Sequence, residues 1–251
     1  MNYKLVILGS GESGTGAALL AHKMGISVFV SEKNSIAEKY KLELAQRNIP
    51  FEEGGHTEEI VLKAAEIVKS PGIPHKVDMI QKAIGKNIPV LSEIEFAYRY
   101  KGNSKIVCIT GSNGKTTTTS ICYDMFLKDN QDVSLVGNIG YSFARQIATK
   151  PTAWYVMEIS SFQLDDIIDF RPDIAVITNI TPDHLDRYNY EFALYTKAKF
   201  KIAKNQTKED YLILCKEDKA TNDYLNEHIL HPKILFFTMN ESLNTDGAYV
   251  N

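Results

Sequence analysis

The stretch ITGSNGKTTT, residues 109–118, is the most informative part of this sequence. An apolar run typical of a β-strand, KIVCI at 105–109, precedes it, and a helical pattern, SICYDMFL at 120–127, follows it. A glycine-rich turn between a strand and a helix directs backbone N–H groups at one point, where the helix dipole also favours negative charge. This arrangement predicts a binding site for the phosphates of a nucleoside triphosphate.

Two side chains of this stretch suit that prediction. Lys115 supplies a positive charge for the terminal phosphates, and the hydroxyl of Thr116 is placed to bind Mg²⁺. The general phosphate-loop pattern has a glycine five residues before the second glycine, where this chain has Ile109. The sequence therefore predicts a tighter variant of the loop. A glycine turn that only caps a helix is the alternative interpretation.

Composition is that of an ordinary soluble globular protein. The 251 residues can form one large domain or two small ones, and 24% charged and 44% hydrophobic residues are typical values. A net charge of −3 gives no electrostatic reason to expect nucleic acid or an anionic membrane as a partner. The three scattered cysteines lie in apolar contexts typical of reduced thiols. With no long apolar run and a strand starting at once, we expect a cytoplasmic protein without a signal peptide.

Strand-like and helix-like segments alternate along the chain, which predicts an α/β fold with parallel sheets covered by helices on both faces. The predicted strands are 5–8, 27–30, 64–68, 89–91, 105–109, 133–136, 154–158, 174–179, 211–214, 234–238 and a last one starting at 247–250. The predicted helices are 15–24, 36–47, 77–86, 93–100, 120–127 and 191–205. A boundary near 93–104 divides the chain into an N-terminal unit, 1–93, and a second unit, 94–251, which contains the phosphate loop.

The N-terminal part has a glycine turn of its own, GSGESG at 9–14, directly after the first strand. Its spacing, with Glu32 about twenty residues further on, is that of the dinucleotide fingerprint. Three interpretations stay open, namely an NAD or FAD site, a turn that only allows close packing, and a site for a nucleotide-sugar diphosphate. The second glycine-rich loop argues against a simple dehydrogenase, because hydride transfer does not use a triphosphate.

Two clusters after the phosphate loop contain candidate functional residues. EISSFQL at 158–164 ends a strand, and a carboxylate at the carboxyl edge of a parallel sheet beside a phosphate loop suits a metal ion. In NITPDHLDRY at 179–188, His184 follows a proline turn in a polar run. For two acids of that run a structural role is at least as good an interpretation as a catalytic one: Asp183 can cap a helix, and Asp186 can be a solvated side chain.

A third cluster, YTKAKFK at 195–201, lies on a predicted helix. Lys197 and Lys201 are four residues apart and can share an exposed face, whereas Lys199 points towards the apolar side. A lysine at such a position is most often an ordinary side chain whose stem packs against apolar surface.

Together with VGNIG at 136–140 and SPGI at 70–73, these motifs in this order resemble the Mur ligases of peptidoglycan synthesis. The SSFQL element and the first glycine turn are most similar to those of the members that add D-glutamate to UDP-N-acetylmuramoyl-L-alanine. The resemblance covers essentially the whole chain and implies an ATP-dependent amide ligase that works through an acyl phosphate. The resemblance also implies an N-terminal Rossmann-like domain at 1–93 that binds the UDP substrate, and a central phosphate-loop ATPase domain at 94–251 that is incomplete at its C-terminus. Members of the family also have a third domain, so we expect a truncated chain, inactive alone, whose C-terminal domain is absent.

The resemblance implies a role for each matched residue. Its catalytic residues would be Lys115, Glu158, His184 and Lys199. Its ATP-binding residues would be Ser112, Asn113, Gly114, Lys115, Thr116 and Thr117. Two Mg²⁺ ions would be held by Thr116, Glu158, His184 and Lys199, the last after carbamylation by CO₂. Its substrate-binding residues would be Gly11, Ser13, Lys33, Ser70, Pro71, Gly72, Asn138 and Gln163.

The expected partners are therefore UDP-N-acetylmuramoyl-L-alanine, D-glutamate and ATP. We expect a monomer with neither a nucleic acid nor a membrane as a partner. Two other functions stay open. One is a related Mur or folylpolyglutamate-type ligase with another acceptor, and the other is a non-catalytic module that binds a nucleotide sugar and ATP. An NAD-dependent oxidoreductase is a third, more distant alternative.

Overall fold

The computed structural model describes residues 3–240 and 246–249, which form two compact units. The first unit contains the described residues up to Gly102, together with Tyr141–Pro151 and Asp166–Ile168. The second contains Asn103–Gly140, Thr152–Asp165 and the described residues from Asp169 onward. Each unit is an α/β structure with a parallel sheet, which confirms the predicted fold class.

The first unit is built on a five-stranded sheet in the order β3-β2-β1-β4-β5. Its strands are β1 (Leu5–Leu8), β2 (Val28–Ser31), β3 (Phe51–Glu52), β4 (Glu66–Lys69) and β5 (Val90–Ser92). Its helices are α1 (Glu12–Lys23), α2 (Glu38–Gln46), α3 (Glu58–Val61), α4 (Asp78–Gly85), α5 (Glu93–Tyr98) and, from the later segment, α7 (Phe143–Thr149). All adjacent strands pair in parallel, with Leu5 aligned to Val28 on one side and to Glu66 on the other.

The centre of this sheet is buried on both faces. Every residue of β1, the sequence LVIL, is buried, as expected for a strand of a parallel sheet covered by helices on both sides. Val6, Leu8 and Ile67 pack with Ile80 of α4 in one apolar cluster. Burial of these side chains fixes the sheet and so positions the turns that leave its carboxyl edge.

The second unit has a seven-stranded sheet in the order β12-β11-β10-β9-β6-β8-β7. Its strands are β6 (Lys105–Thr110), β7 (Val133–Gly137), β8 (Trp154–Glu158), β9 (Ile174–Ile177), β10 (Tyr211–Cys215), β11 (Lys233–Thr238) and β12 (Gly247–Tyr249). Its helices are α6 (Lys115–Lys128), α8 (Ser161–Leu164), α9 (Phe192–Phe200) and α10 (Lys219–Glu227), with 3₁₀ turns at Leu185–Arg187 and Lys201–Ala203. Val107, Ile109 and Val156 form its core with Phe126 and Trp154.

The strand order places a crevice at the carboxyl edge of each sheet. In the first unit β1 lies between β2 and β4, and in the second β6 lies between β9 and β8. Chain connections leave such a central strand towards opposite sides, and ligands of open α/β sheets bind where this reversal occurs. The turn after β1 and the loop after β6 are the two glycine-rich stretches singled out from the sequence.

Several predicted boundaries were wrong for identifiable reasons. Helix α1 begins at Glu12 and not at residue 15, because Gly14 lets the helix approach the backbone of Gly9. A Cβ atom at Gly14 would lie 1.9 Å from the Gly9 carbonyl oxygen. Strand β9 ends at Ile177 and not at residue 179, because Thr178 turns to donate to the Asn113 carbonyl.

At the C-terminal end, the predicted helix 191–205 divides into α9 and a 3₁₀ turn. The predicted last strand is confirmed for Gly247–Tyr249, which pairs in parallel with β11. Val250, which the prediction included, lies outside the described residues.

Glu93, at the start of α5, is a buried acid that the sequence did not single out. Its side chain is 2% exposed, and its Oε1 accepts a hydrogen bond of 2.5 Å from the Ala144 N–H of α7. Within the described residues its Oε2 has no hydrogen-bond partner. Burial, reinforced by the negative charge of Glu12, raises the pKa of Glu93 to about 8. The carboxyl group therefore keeps its proton in the folded protein at neutral pH.

This shift predicts that stability falls as pH rises. Between pH 4.5 and about 8 the folded protein keeps the Glu93 proton that the unfolded chain loses. The free energy of unfolding should therefore decrease by up to about 1.4 kcal/mol per pH unit across that window. Glu93→Gln should remove this slope, as measured by urea unfolding at a series of pH values. Glu59→Gln, on the exposed surface of α3, is the matched control and should keep it. A slope equal in wild type and Glu93→Gln would contradict the prediction.

Candidate functional site

The phosphate loop joins β6 to α6 in a conformation that its glycines allow. Gly111 has φ +148° and Gly114, the N-cap of α6, has φ +78°, both in the region that favours glycine. A Cβ atom at Gly111 would also lie 1.9 Å from the Thr178 hydroxyl oxygen. The first turn of α6 starts at Lys115, so its unpaired N–H groups face the loop.

Two lysines meet at one carbonyl of this loop. The Lys115 ammonium donates to the Gly111 oxygen at 2.9 Å and to the Ser112 oxygen at 3.0 Å. The Lys199 ammonium, from α9, donates to the same Gly111 oxygen at 2.7 Å. Sequence reasoning placed both lysines in the site, and the structure brings them together across 84 positions of the chain (199 − 115).

Lys199 lies in an environment that disfavours its charge. Its side chain is 1% exposed, and its ammonium lies 4.7 Å from the centre of the Tyr195 ring. Burial, and secondly the positive charge of Lys115, lower the pKa of Lys199 to about 7. A substantial neutral fraction of this amine is therefore present near neutral pH.

Glu158 is a buried acid that is hydrogen-bonded to Thr116, in the first turn of α6 after the phosphate loop. Its carboxylate is 1% exposed and accepts from the Thr116 hydroxyl and from the Asn138 amide, each at 2.7 Å. Both partners are neutral, and among the residues that the structure describes this buried carboxylate forms no ion pair, although such groups usually have a positive partner. A hydroxyl and a carboxylate are ligand types of Mg²⁺, and these two residues therefore fit a metal ion.

The other predicted metal ligands are less closely associated with this pair. His184 has φ +49°, is mostly exposed, and lies 3.6 Å from the Asp183 carboxylate. Its ring packs near Phe162, with centroids 5.2 Å apart, and it makes no hydrogen bond to Thr116 or Glu158. In the described part of the chain no cluster of three His, Cys, Asp or Glu side chains could hold a metal.

Gln163, predicted to contact substrate, has a local role in the structure. Its side-chain oxygen accepts from the Ser160 N–H and the Ser160 hydroxyl, both at 3.0 Å, which completes a capping box for α8. Only its amide nitrogen is therefore left for a ligand. The pattern S-x-x-Q contains this information, but the sequence analysis did not use it.

Asn179 is a residue of the site that the sequence analysis quoted but did not assign. Its side-chain oxygen accepts from the Asn113 N–H and its side-chain nitrogen donates to the Asn113 carbonyl, each at 3.0 Å. Ser112 is held similarly, because its hydroxyl donates to the Thr181 carbonyl and accepts from the Thr181 N–H. The segment after β9 therefore braces the phosphate loop, and the available signal was an amide side chain two residues after the end of β9, the strand beside β6.

The first unit contains a cavity of about 680 Å³ at the carboxyl edge of its sheet. Four predicted substrate-binding residues line it, namely Gly11, Lys33, Ser70 and Gly72, whereas Ser13 and Pro71 do not. Two residues that the sequence analysis did not assign to a substrate, Glu32 and His56, also line it.

Glu32 is turned towards the glycine turn. Its Oε2 accepts from the Ser10 N–H at 2.8 Å and from the Ser10 hydroxyl at 2.9 Å. Although burial opposes ionisation, hydrogen bonds from Asn34 and Ser10 lower the pKa of Glu32. The Ser10 N–H is thus occupied by a side chain of the same unit, so this donor is not free for a phosphate.

His56 lines the same cavity, beside Ser31 at the end of β2. Its Nδ1 is 2.6 Å from the Ser31 hydroxyl, and burial lowers its pKa against the opposing charges of Glu52 and Glu32. The imidazole is therefore held at the cavity wall in a fixed orientation.

These features define the class of the protein. Each of the two α/β units has a sheet of parallel strands and presents a glycine-rich turn at a reversal of strand order. The turn of the second unit is a phosphate loop with a lysine, a hydroxyl and a buried acid. Among the described residues, no helix combines the length and apolar composition needed to cross a lipid bilayer.

Comparison with known families narrows this class. Residues 109–248 match the family model of the Mur ligase middle domain, and residues 3–92 match that of the Mur ligase MurD-like N-terminal domain. The chain belongs to the Mur ligase family.

Curated relatives are similar over essentially all of the chain. It is 50% identical over 251 residues to the UDP-N-acetylmuramoylalanine--D-glutamate ligase of Porphyromonas gingivalis, covering 100% of this chain and 56% of that protein. It is 48% identical over 245 residues to the ligase of the same name from Bacteroides thetaiotaomicron, covering 98% and 54%. The chain thus spans about half the length of the relatives it matches.

Solved structures share the fold. The UDP-N-acetylmuramate:L-alanyl-gamma-D-glutamyl-meso-diaminopimelate ligase from Neisseria meningitides aligns with a TM-score of 0.66 at 17% identity, covering 97% of this chain and 82% of that one. The murein peptide ligase from Psychrobacter arcticus aligns with a TM-score of 0.61 at 18% identity, covering 94% and 53%.

Proposed function

We propose that the chain is part of an ATP-dependent ligase that joins D-glutamate to UDP-N-acetylmuramoyl-L-alanine. In this proposal residues 1–93 bind the UDP end of the substrate and residues 94–251 form part of the ATP-binding domain. The meeting of Lys115 and Lys199 on the Gly111 carbonyl, beside the Thr116–Glu158 pair, carries the proposal. Identity of 50% to a ligase of that name supports the choice of substrates.

The reaction would have two steps. The γ-phosphate of ATP passes to the free carboxylate of the substrate's alanine, forming an acyl phosphate and ADP. The neutral amine of D-glutamate then attacks the acyl carbon, the carbon–oxygen bond to phosphate breaks, and the amine loses a proton. Activation is needed because a carboxylate is a poor electrophile. Phosphorylation provides it, because phosphate is a good leaving group.

This chain's residues would bind and orient the two anions. Lys115, with the loop residues Ser112, Asn113, Gly114 and Thr117, would hold the ATP phosphates. Asn138 would contact the muramoyl-alanine part, as would Gln163 through its amide nitrogen. Because the loop is braced by Asn179, these donors would be held in place before the nucleotide arrives.

Thr116 and Glu158 would hold one Mg²⁺, and His184 and a carbamylated Lys199 would hold a second. Bound there, the metal would offset the negative charge of the two anions that must approach each other. We further propose a monomeric cytoplasmic enzyme, which matches the location of its proposed nucleotide substrates.

The first test is calorimetric titration of this chain with UDP-N-acetylmuramoyl-L-alanine, with NAD as the comparison ligand. We expect saturable binding of the UDP compound with one site per chain and no binding of NAD. Binding of NAD alone would contradict the proposal and return the first glycine turn to the dinucleotide interpretation. Absence of both signals would also count against a UDP site in the cavity of the first unit.

A further inference from the structure

The turn at residues 70–75 forms one wall of the cavity in the first unit. It follows directly on β4, and Ser70, Gly72, Ile73 and Pro74 all line the cavity. A hydrogen bond of 3.0 Å from the Ile73 N–H to the Ser70 carbonyl closes the turn. Loops that bind ligands are positioned by the rigid scaffold beneath them, so the contacts that hold the two ends of this turn fix the shape of the cavity wall.

A single carboxylate contacts both ends of this turn. Asp166, which belongs to the same compact unit, lies 2.6 Å from the Lys69 ammonium through Oδ2 and 2.5 Å from His75 Nε2 through Oδ1. Lys69 is the last residue of β4, and His75 closes the turn at its other end. The His75 carbonyl in turn accepts from the Gln81 side chain of α4 at 2.7 Å.

The two contacts differ in burial, and therefore in what they can do. The side chains of Lys69 and Asp166 are 2% and 3% exposed, whereas His75 is 48% exposed. Although burial opposes ionisation, the hydrogen bond from His75 and the charge of Lys69 lower the pKa of Asp166. Asp166 is thus an anion held by the buried lysine, and its second oxygen is directed at the half-exposed histidine. That second contact adds little to burial but restricts where the turn can lie.

We propose that Asp166 is a positioning residue, which holds the turn 70–75 through Lys69 and His75 in the shape that receives the UDP diphosphate. This inference rests on the proposed function, because it takes the cavity of the first unit to be the UDP site. The residues lie 91 positions apart (166 − 75), and none of the sequence motifs contains the contact.

The test compares two variants of His75, which is exposed enough to be replaced without creating a cavity. His75→Ala removes the contact with Asp166, whereas His75→Gln offers a side-chain N–H at a similar reach. We expect His75→Ala to weaken binding of UDP, measured by calorimetry, by about fivefold to tenfold, as for the loss of one ordinary hydrogen bond. His75→Gln should restore most of the affinity. Binding of ATP should be unchanged in both variants.

Hydrogen exchange of the Ile73 amide gives a second measurement that does not depend on a ligand. We expect faster exchange in His75→Ala and near wild-type exchange in His75→Gln, with no change at amides of β1. Equal UDP affinity and equal exchange in all three proteins would overturn the proposal, as would a failure of His75→Gln to differ from His75→Ala. If wild type does not bind UDP, the proposed function fails, while a change in exchange restored by glutamine still supports the holding role of Asp166.

Discussion

Replacing Lys115 with alanine is expected to abolish detectable binding of ATP to this chain. The Lys115 ammonium is the cation of the phosphate loop, where it already donates to the Gly111 and Ser112 carbonyls. In the proposed reaction it would exchange these carbonyls for phosphate oxygens, which carry full negative charge and bind it more strongly. In a protein of the relatives' full length, turnover should fall by about a hundredfold to a thousandfold or more, because one preorganised donor to the transferring group is lost.

Two controls separate the role of this lysine from a general effect on α6. Lys128→Ala removes an exposed lysine from the last turn of the same helix and should leave ATP binding unchanged. Lys115→Arg keeps the charge but not the shape of the group, and should recover only part of the affinity. Binding would be measured by calorimetry with ATP and Mg²⁺, and turnover by phosphate release. Normal turnover in Lys115→Ala would contradict the proposed mechanism.

The second large effect is expected at Lys199. Its ammonium would first lose one proton, and the neutral amine would then attack CO₂ to form a nitrogen–carbon bond and release a second proton. The two steps together convert a cation into a carbamate anion. Two observations favour this change, since the side chain is 1% exposed and shares the Gly111 carbonyl with the positive charge of Lys115. An anion in that position would relieve the repulsion between the two lysines and supply oxygen ligands for Mg²⁺.

Carbon-13 NMR of the chain in labelled bicarbonate should therefore show one carbamate signal in wild type, and none in Lys199→Ala or Lys199→Arg. Lys197→Arg, an exposed position two residues earlier on α9, is the matched control and should keep the signal. In a protein of the relatives' full length, Lys199→Ala should lower turnover by about a hundredfold, at least as much as the loss of a group that supports a metal ligand. A wild-type chain without the signal, or a fully active Lys199→Ala, would contradict carbamylation.

Much of the fold was predictable because it depends on local pattern. Alternation of apolar strands and amphipathic helices gave the α/β class, and the predicted strands at 5–8 and 154–158 are those of the structure. The phosphate loop was predictable for the same reason, since its glycines, Lys115 and the start of α6 lie within a few residues of each other. The boundaries that failed, as at α1 and β9, depend on contacts with distant backbone, such as that between Thr178 and Asn113.

The sequence motifs nominated residues of the candidate site one by one but gave no information on their arrangement. Sequence motifs singled out Glu158 and Lys199, but not that Glu158 would accept from Thr116 and Asn138, or that Lys199 would reach Gly111. The bracing role of Asn179 was missed, because an amide side chain after a strand is a weak signal that does not show which backbone groups it contacts.

The sequence by itself determined the class of fold, the two glycine-rich turns and the family to which the chain belongs. The fold class and the glycine-rich turns depend on apolar periodicity and glycine spacing within short stretches of chain, and the family was indicated by the resemblance of the motifs to those of the Mur ligases. Only the tertiary structure decided which polar groups meet, as with Asp166 between Lys69 and His75, or Glu93 of α5, which accepts from the Ala144 N–H in α7. The physical reason is strand order: β6 pairs with β8 and β9, and not with β7, which follows it in the chain. Residues far apart in sequence therefore become neighbours, and their burial sets their charge.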